Sequence, residues 1–173
     1  MERIPLMKTP ICSICLESDL LCPGCNERLE SNEITPVALD VIRFLHSLSQ
    51  DLPLLEDVEL KNVLTTSNAV IILTGKGDAA KVVGKKGSIV KQIAAKTEKS
   101  VRVLEESNSV EEVVRNLLAP VQIQSINTIY KPEGTEKRIV VSKDQRKRIP
   151  LTRNGFSTIV KILTGESVNL TFS

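Results

Sequence analysis

Val82-Val83-Gly84-Lys85-Lys86-Gly87-Ser88-Ile89-Val90 is a two-glycine loop carrying two lysines, set between apolar residues that read as the ends of two helices. A glycine on each side of the Lys-Lys pair permits a sharp turn and lets a ligand approach the backbone without a Cβ in the way. The loop runs into a helix start at Ser88, where free N–H groups and the helix dipole favour an anion such as phosphate. Lys85 and Lys86 add positive charge, and Lys76, Lys81 and Lys91 flank them in sequence. These residues read as a clamp for a nucleic-acid backbone.

Working outward, Ala69-Val70-Ile71-Ile72-Leu73-Thr74 is continuously apolar and reads as a central strand. An earlier strand over residues 58–64 reaches it through a turn at 65–68. Before these, Thr35-Pro36 reads as an N-cap followed by proline at the first helical position, opening a helix to about residue 49. Val37, Val41, Ile42, Leu45 and Leu48 form its apolar stripe; His46, the single histidine, lies off that stripe and is expected to be exposed. After the central strand come a short helix at 79–83, the two-glycine loop, a helix at 88–98 and a strand at 101–104. The strand pairs are read as hairpin-linked.

The same element order follows a second time. Ser109-Val110-Glu111-Glu112 has the form of a capping box opening a helix that Pro120 stops. Strands at 121–130 and 136–141 flank a turn at Pro132-Glu133-Gly134-Thr135, and a short basic helix at 143–148, a helix at 154–163 and a strand at 167–172 complete the copy. An offset of 67 residues lays Thr97-Glu98-Lys99-Ser100-Val101-Arg102-Val103 over Thr164-Gly165-Glu166-Ser167-Val168-Asn169-Leu170, and Gly84-Lys85-Lys86-Gly87 over Leu151-Thr152-Arg153-Asn154. The second copy keeps the scaffold and loses both glycines. Its cations Lys143, Arg146, Lys147, Arg148 and Arg153 either attract phosphate or form a solvated face.

All four cysteines fall near the start, as Cys12-Ser13-Ile14-Cys15 and Cys22-Pro23-Gly24-Cys25. Each pair can turn two thiolates toward one ion, and Pro-Gly suits such a turn. Two pairs complete a tetrahedral site with no open position, which assigns Zn2+ a structural role; paired disulfides or redox chemistry are the alternatives.

The 23 Lys and Arg against 21 Asp and Glu leave a net charge of +2, so nucleic-acid binding must come from a local patch rather than a strongly salt-driven duplex surface. Phe44, Tyr130, Phe156 and Phe172 are the only aromatic residues, too few for the base-stacking platforms of RRM and OB modules. Residues 1–8 lack the apolar core of a signal peptide and no run approaches a membrane span, so a cytoplasmic protein without membrane contact is expected.

An αββααβ unit with Gly84-Lys85-Lys86-Gly87 between paired helices resembles the type II KH domain, whose GxxG loop holds about four nucleotides of single-stranded RNA. With Asn116-Leu117-Leu118-Ala119-Pro120 opening the second unit and Leu163-Thr164-Gly165 before its last strand, the pair is similar to that of NusA-type transcription factors. Cys12, Cys15, Cys22 and Cys25 narrow the likeness to archaeal NusA-like KH proteins. The resemblance implies an α+β fold of two tandem type II KH domains: a zinc-binding segment at 1–33, a first KH domain at 34–106 with an intact GxxG, and a second at 107–173 with a degenerate one. It further implies RNA binding through Gly84, Lys85, Lys86, Gly87, Ser88, Lys76, Lys81 and Lys91, and a role in transcription elongation or termination without catalysis. Val82, Val83 and Ile89 would form the groove floor. A competing assignment is an adaptor that docks on RNA polymerase or a ribosome. A remoter one is a nucleotide-binding enzyme, because Gly75-Lys76-Gly77-Asp78-Ala79-Ala80 fits G-x-G-x-x-A.

Overall fold

In the computed structural model of the protein, which describes residues 7–173, the chain divides into two units, Met1–Glu106 and Ser107–Ser173. The first contains helices α1 (Ser13–Glu17), α2 (Pro23–Glu30) and α3 (Pro36–Asp51), strands β1 (Leu60–Thr65) and β2 (Ala69–Thr74), helices α4 (Ala79–Val83) and α5 (Ser88–Thr97), and strand β3 (Ser100–Glu105). The second contains α6 (Val110–Leu118), β4 (Ile123–Lys131), β5 (Gly134–Val141), a 3-10 turn at Lys143–Arg148, α7 (Arg153–Thr164) and β6 (Val168–Phe172). Residues 1–6, part of the stretch expected to lack a signal peptide, lie outside the described residues. No helix among the described residues is long and apolar enough to cross a membrane.

The architecture is α+β, with two three-stranded sheets ordered β1-β2-β3 and β4-β5-β6. In the first, β1 and β2 form an antiparallel hairpin, whereas β2 and β3 run parallel from Ala69↔Ser100 to Thr74↔Glu105. The hairpin expected between the first two strands is present, and the third strand joins the sheet in parallel. A neighbour running in the same direction takes a crossover, which α4 and α5 supply. Val63, Val70 and Ile72 from the sheet, Ala38, Val41, Ile42 and Leu45 from α3, and Val82, Ile89 and Ile93 from α4 and α5 belong to one buried cluster. Each buried Leu or Ile in such a layer contributes about 1.5–3 kcal/mol.

α3 begins as the sequence indicates. The Thr35 hydroxyl accepts from the Ala38 N–H at 3.1 Å, Pro36 occupies the first turn, and the same hydroxyl meets that of Thr65 at 2.7 Å. The expected exposure of His46 is wrong: it is only 5% exposed, and Ser49 only 6%. α3 buries a second row, Leu39, His46 and Ser49, beside the Val41, Ile42 and Leu45 row. One helix stripe predicts one covered side, but α3 also packs against α1 and the 3-10 turn at Pro53–Leu55.

The second unit repeats the first sheet with one change of length. The parallel pairing of β5 with β6 keeps the 67-residue offset, since Lys137↔Val168 stands where Val70↔Val101 stood. β4 sits 63 residues beyond β1, including its bulge, which falls between Ile123 and Ser125 as that of β1 falls between Leu60 and Asn62. The second hairpin is thus four residues longer than the first, and the extra residues lengthen the strands rather than the turn: Lys131 pairs with Gly134, so only Pro132 and Glu133 close the hairpin rather than the expected 132–135. The capping box is half formed. Ser109 Oγ accepts from the Glu112 N–H at 3.3 Å, but the Glu112 carboxylate accepts instead from the Ser107 hydroxyl at 2.6 Å. The Ser107 oxygen in turn receives the Ser109 N–H at 3.1 Å.

Because Thr35 both caps α3 and ties it to the end of β1, Thr35→Ala should lower stability by about 1 kcal/mol, with Thr35→Ser recovering most of the loss. Urea unfolding followed by circular dichroism measures the difference.

Candidate nucleic-acid interface and metal centre

α4 ends after five residues because Gly84 takes φ 79°, ψ 173°, outside any helix. Lys86 (φ 55°, ψ 29°) and Gly87 (φ 73°, ψ 19°) are both left-handed, and α5 starts immediately afterwards with no side-chain cap. Three positive-φ residues within four thus fold the second helix back beside the first. A left-handed lysine is uncommon and costs about 1–2 kcal/mol, a strain of the kind that collects at functional loops.

The two glycines serve different needs. A Cβ at Gly84 would fall 2.7 Å from Cγ1 of Ile89 and 3.0 Å from its backbone nitrogen. Gly84 therefore admits a close packing contact inside the protein. A Cβ at Gly87 meets nothing within 4 Å, so this position faces open space and leaves the backbone approachable. Lys85, Lys86 and Ser88 are exposed around it.

The flanking cations divide. Lys76 in the turn before α4 and Lys91 one turn into α5 are exposed, and with Lys85 and Lys86 they form no ion pair among the described residues. Lys81 instead pairs with Asp78 at 3.3 Å. Asp78, only 9% exposed, also accepts the Glu59 N–H at 3.0 Å, which ties the turn before α4 to the residue before β1. The proposed groove floor needs correction: Val82 and Ile89 are 0% and 3% exposed, drawn into the core by the helix pair, and Val83 alone remains half-buried.

In the second unit the corresponding loop differs in kind. Leu151 is buried, and Thr152 caps α7 by accepting the Gly155 N–H at 3.0 Å. Arg153 and Asn154 already belong to the helix, and none of residues 151–154 has positive φ. The helix begins earlier and no glycine turn is left.

The sulfurs of Cys12, Cys15, Cys22 and Cys25 all lie within 4.8 Å of one another and can hold a metal ion. The separations of Cys12 from Cys15, Cys22 and Cys25 are 3.3, 3.8 and 3.9 Å. A tetrahedral ion with metal–sulfur bonds of about 2.3 Å requires sulfurs about 3.8 Å apart, so the donor set fits. The second pair is not the turn expected of Pro-Gly. Cys22 is the N-cap of α2, Pro23 its first residue, and Gly24 is helical with ordinary negative φ. The helix start directs the Cys25 N–H at the Cys22 sulfur at 3.4 Å, and this bond lowers the Cys22 thiol to about 7. The Cys22 N–H likewise points at the Cys15 sulfur at 3.1 Å, which alone would lower Cys15, but burial and the neighbouring sulfurs push it up to about 12.

Arg43 completes the centre and carried no signal in the sequence. From α3 its guanidinium donates to the Cys15 carbonyl at 3.1 and 3.2 Å and to the Ser18 carbonyl at 2.8 Å. Its partners lie 25 and 28 residues away, beyond the reach of any local pattern.

A helix pair on a three-stranded sheet, with an exposed basic glycine loop between the helices, defines a single-stranded nucleic-acid-binding module. A family model described as "KH domain" matches residues 46–134. A solved structure entitled "Crystal structure of APE1850" is 25% identical over 80% of this chain and 100% of that chain, with a TM-score of 0.53. No curated protein matches the sequence. The chain belongs to the KH-domain family.

Gly84→Ala should cost roughly 2–4 kcal/mol, because it adds an internal clash to an unfavourable φ. Gly87→Ala should cost only about 1–2 kcal/mol, from φ alone. Paired thermal melts measure both. Below about pH 7 Cys22 must also release a proton to bind an ion, so affinity for Zn2+ should fall more steeply with acidification there, with matching proton release in weakly buffered titrations.

Proposed function

We propose that this chain is a single-stranded RNA-binding protein of NusA-like type, acting in transcription elongation or termination without catalysis. The observation that carries the reading is the Gly84–Gly87 loop, whose open Gly87 backbone is flanked by Lys85 and Lys86, both exposed and without an ion pair among the described residues. Phosphates would meet Lys85, Lys86 and the backbone around Gly84, Gly87 and Ser88, with Lys76 and Lys91 alongside; Lys81 acts after exchange from Asp78. The domain reading is a zinc-binding segment at 1–33 followed by type II KH domains at 34–106 and 107–173. The bulge and parallel register common to both sheets support a tandem pair. Zn2+ is the proposed ion, structural because four thiolates leave no position for substrate. The chain would work in the cytoplasm of an archaeal cell.

A second reading, an adaptor docking on RNA polymerase or a ribosome, is favoured by Ile14 and Leu20. These residues of the cysteine segment are 73% and 80% exposed, and exposed apolar side chains grouped on a small segment suit a protein contact.

One loop spanning about four nucleotides neutralises about three or four phosphates, giving a salt slope near −2 to −3 and weak binding. Lys85→Asp with Lys86→Asp should weaken binding of a short single-stranded RNA by about tenfold or more while circular dichroism stays unchanged. Equal affinity in a folded variant would rule out the clamp.

A further inference from the structure

Five cations of the second unit remain without a role. Lys143, Arg146, Lys147, Arg148 and Arg153 are all exposed, and none forms an ion pair among the described residues. Two of them are organised. Arg146, from the 3-10 turn, has its guanidinium carbon 5.5 Å from the centroid of the Phe172 ring, and Arg153, from the first turn of α7, lies 5.2 Å from the same centroid. Three separate elements, the turn, the helix and β6, thus converge on one ring. The two guanidinium groups are within about 11 Å of each other, comparable with the screening length of about 8 Å at physiological ionic strength.

Each guanidinium gains some stabilisation from the ring face, which is offset in part by two unfavourable terms. Two like charges on one ring repel, and Arg153 stands at a helix N-terminus, where the dipole disfavours a cation. Asp144, on the same 3-10 turn, is engaged by the Ser142 hydroxyl and by Gln145 at 3.2 Å, and its carboxyl is held low by those bonds and by Arg148. One carboxylate does not offset five cations. Planar guanidinium groups held by a ring lose less freedom on binding than free side chains, and Arg forks match phosphate oxygens.

We propose that Arg146 and Arg153, braced on Phe172 and surrounded by Lys143, Lys147 and Arg148, form a second contact for the phosphodiester backbone of single-stranded RNA. It needs no glycine loop. The contact shares its ligand with the reading above, and it would supply the additional affinity that a four-nucleotide clamp lacks.

The test uses the full chain, its Arg146→Gln/Arg153→Gln variant and its Lys85→Asp/Lys86→Asp variant. Each is titrated with fluorescent single-stranded oligouridylates of about four and about fifteen nucleotides over a range of salt. The arginine variant should bind the short RNA as the parent does, but bind the long RNA about tenfold more weakly, with a salt slope shallower by about 1 to 1.5. Arg146→Lys/Arg153→Lys should keep the slope while losing part of the affinity. Unchanged long-RNA affinity and slope in a folded arginine variant would overturn the proposal and leave these cations for an acidic protein surface. Failure of the lysine variant to weaken the short RNA would overturn the loop clamp instead, so the two failures are distinguishable.

Discussion

The contact between Gly84 and Ile89 is the constraint from which the rest of the interface follows. Without a side chain at Gly84, the end of α4 approaches the start of α5 closely enough for Ile89 to enter the core. Val82 and Ile89 then anchor the two helices to the same buried cluster. The residues between them are turned outward because both ends of the loop are held. Lys86 adopts a left-handed backbone there, and Gly87 faces open space. Core packing thereby displays a polar backbone and two lysines at the surface.

The second unit treats the same scaffold differently. Its sheet keeps the parallel register and the bulge of the first, but Leu151 fills the position where a glycine turn would stand and becomes part of the interior. Thr152 starts α7 early, which leaves Arg153 at the helix start, over Phe172. Charge is gathered by side chains on an aromatic ring rather than presented beside a bare backbone. The cysteine segment is likewise not a free appendage: Cys15 and Cys25 share the core of the first unit, and Arg43 grips the carbonyls of Cys15 and Ser18. A metal held by the four sulfurs would stiffen a segment already fastened to α3.

Much of this was legible in the sequence. The apolar run Ala69–Thr74 marked the central strand, Thr35-Pro36 marked the start of α3, and paired glycines marked the break between α4 and α5. The spacing of the cysteines brought four sulfurs to one place. These signals are local: periodicity, capping and turn chemistry act over a few residues. Tertiary structure alone decided which neighbours cover which side. It buried His46 because α3 packs on two sides, packed Gly84 against Ile89, made Pro23-Gly24 a helix start, drew Val82 and Ile89 inward, and set Arg43 on carbonyls more than twenty residues away. Local pattern determined the elements and the chemistry available. The close packing of residues distant in sequence decided which groups were left exposed to use it.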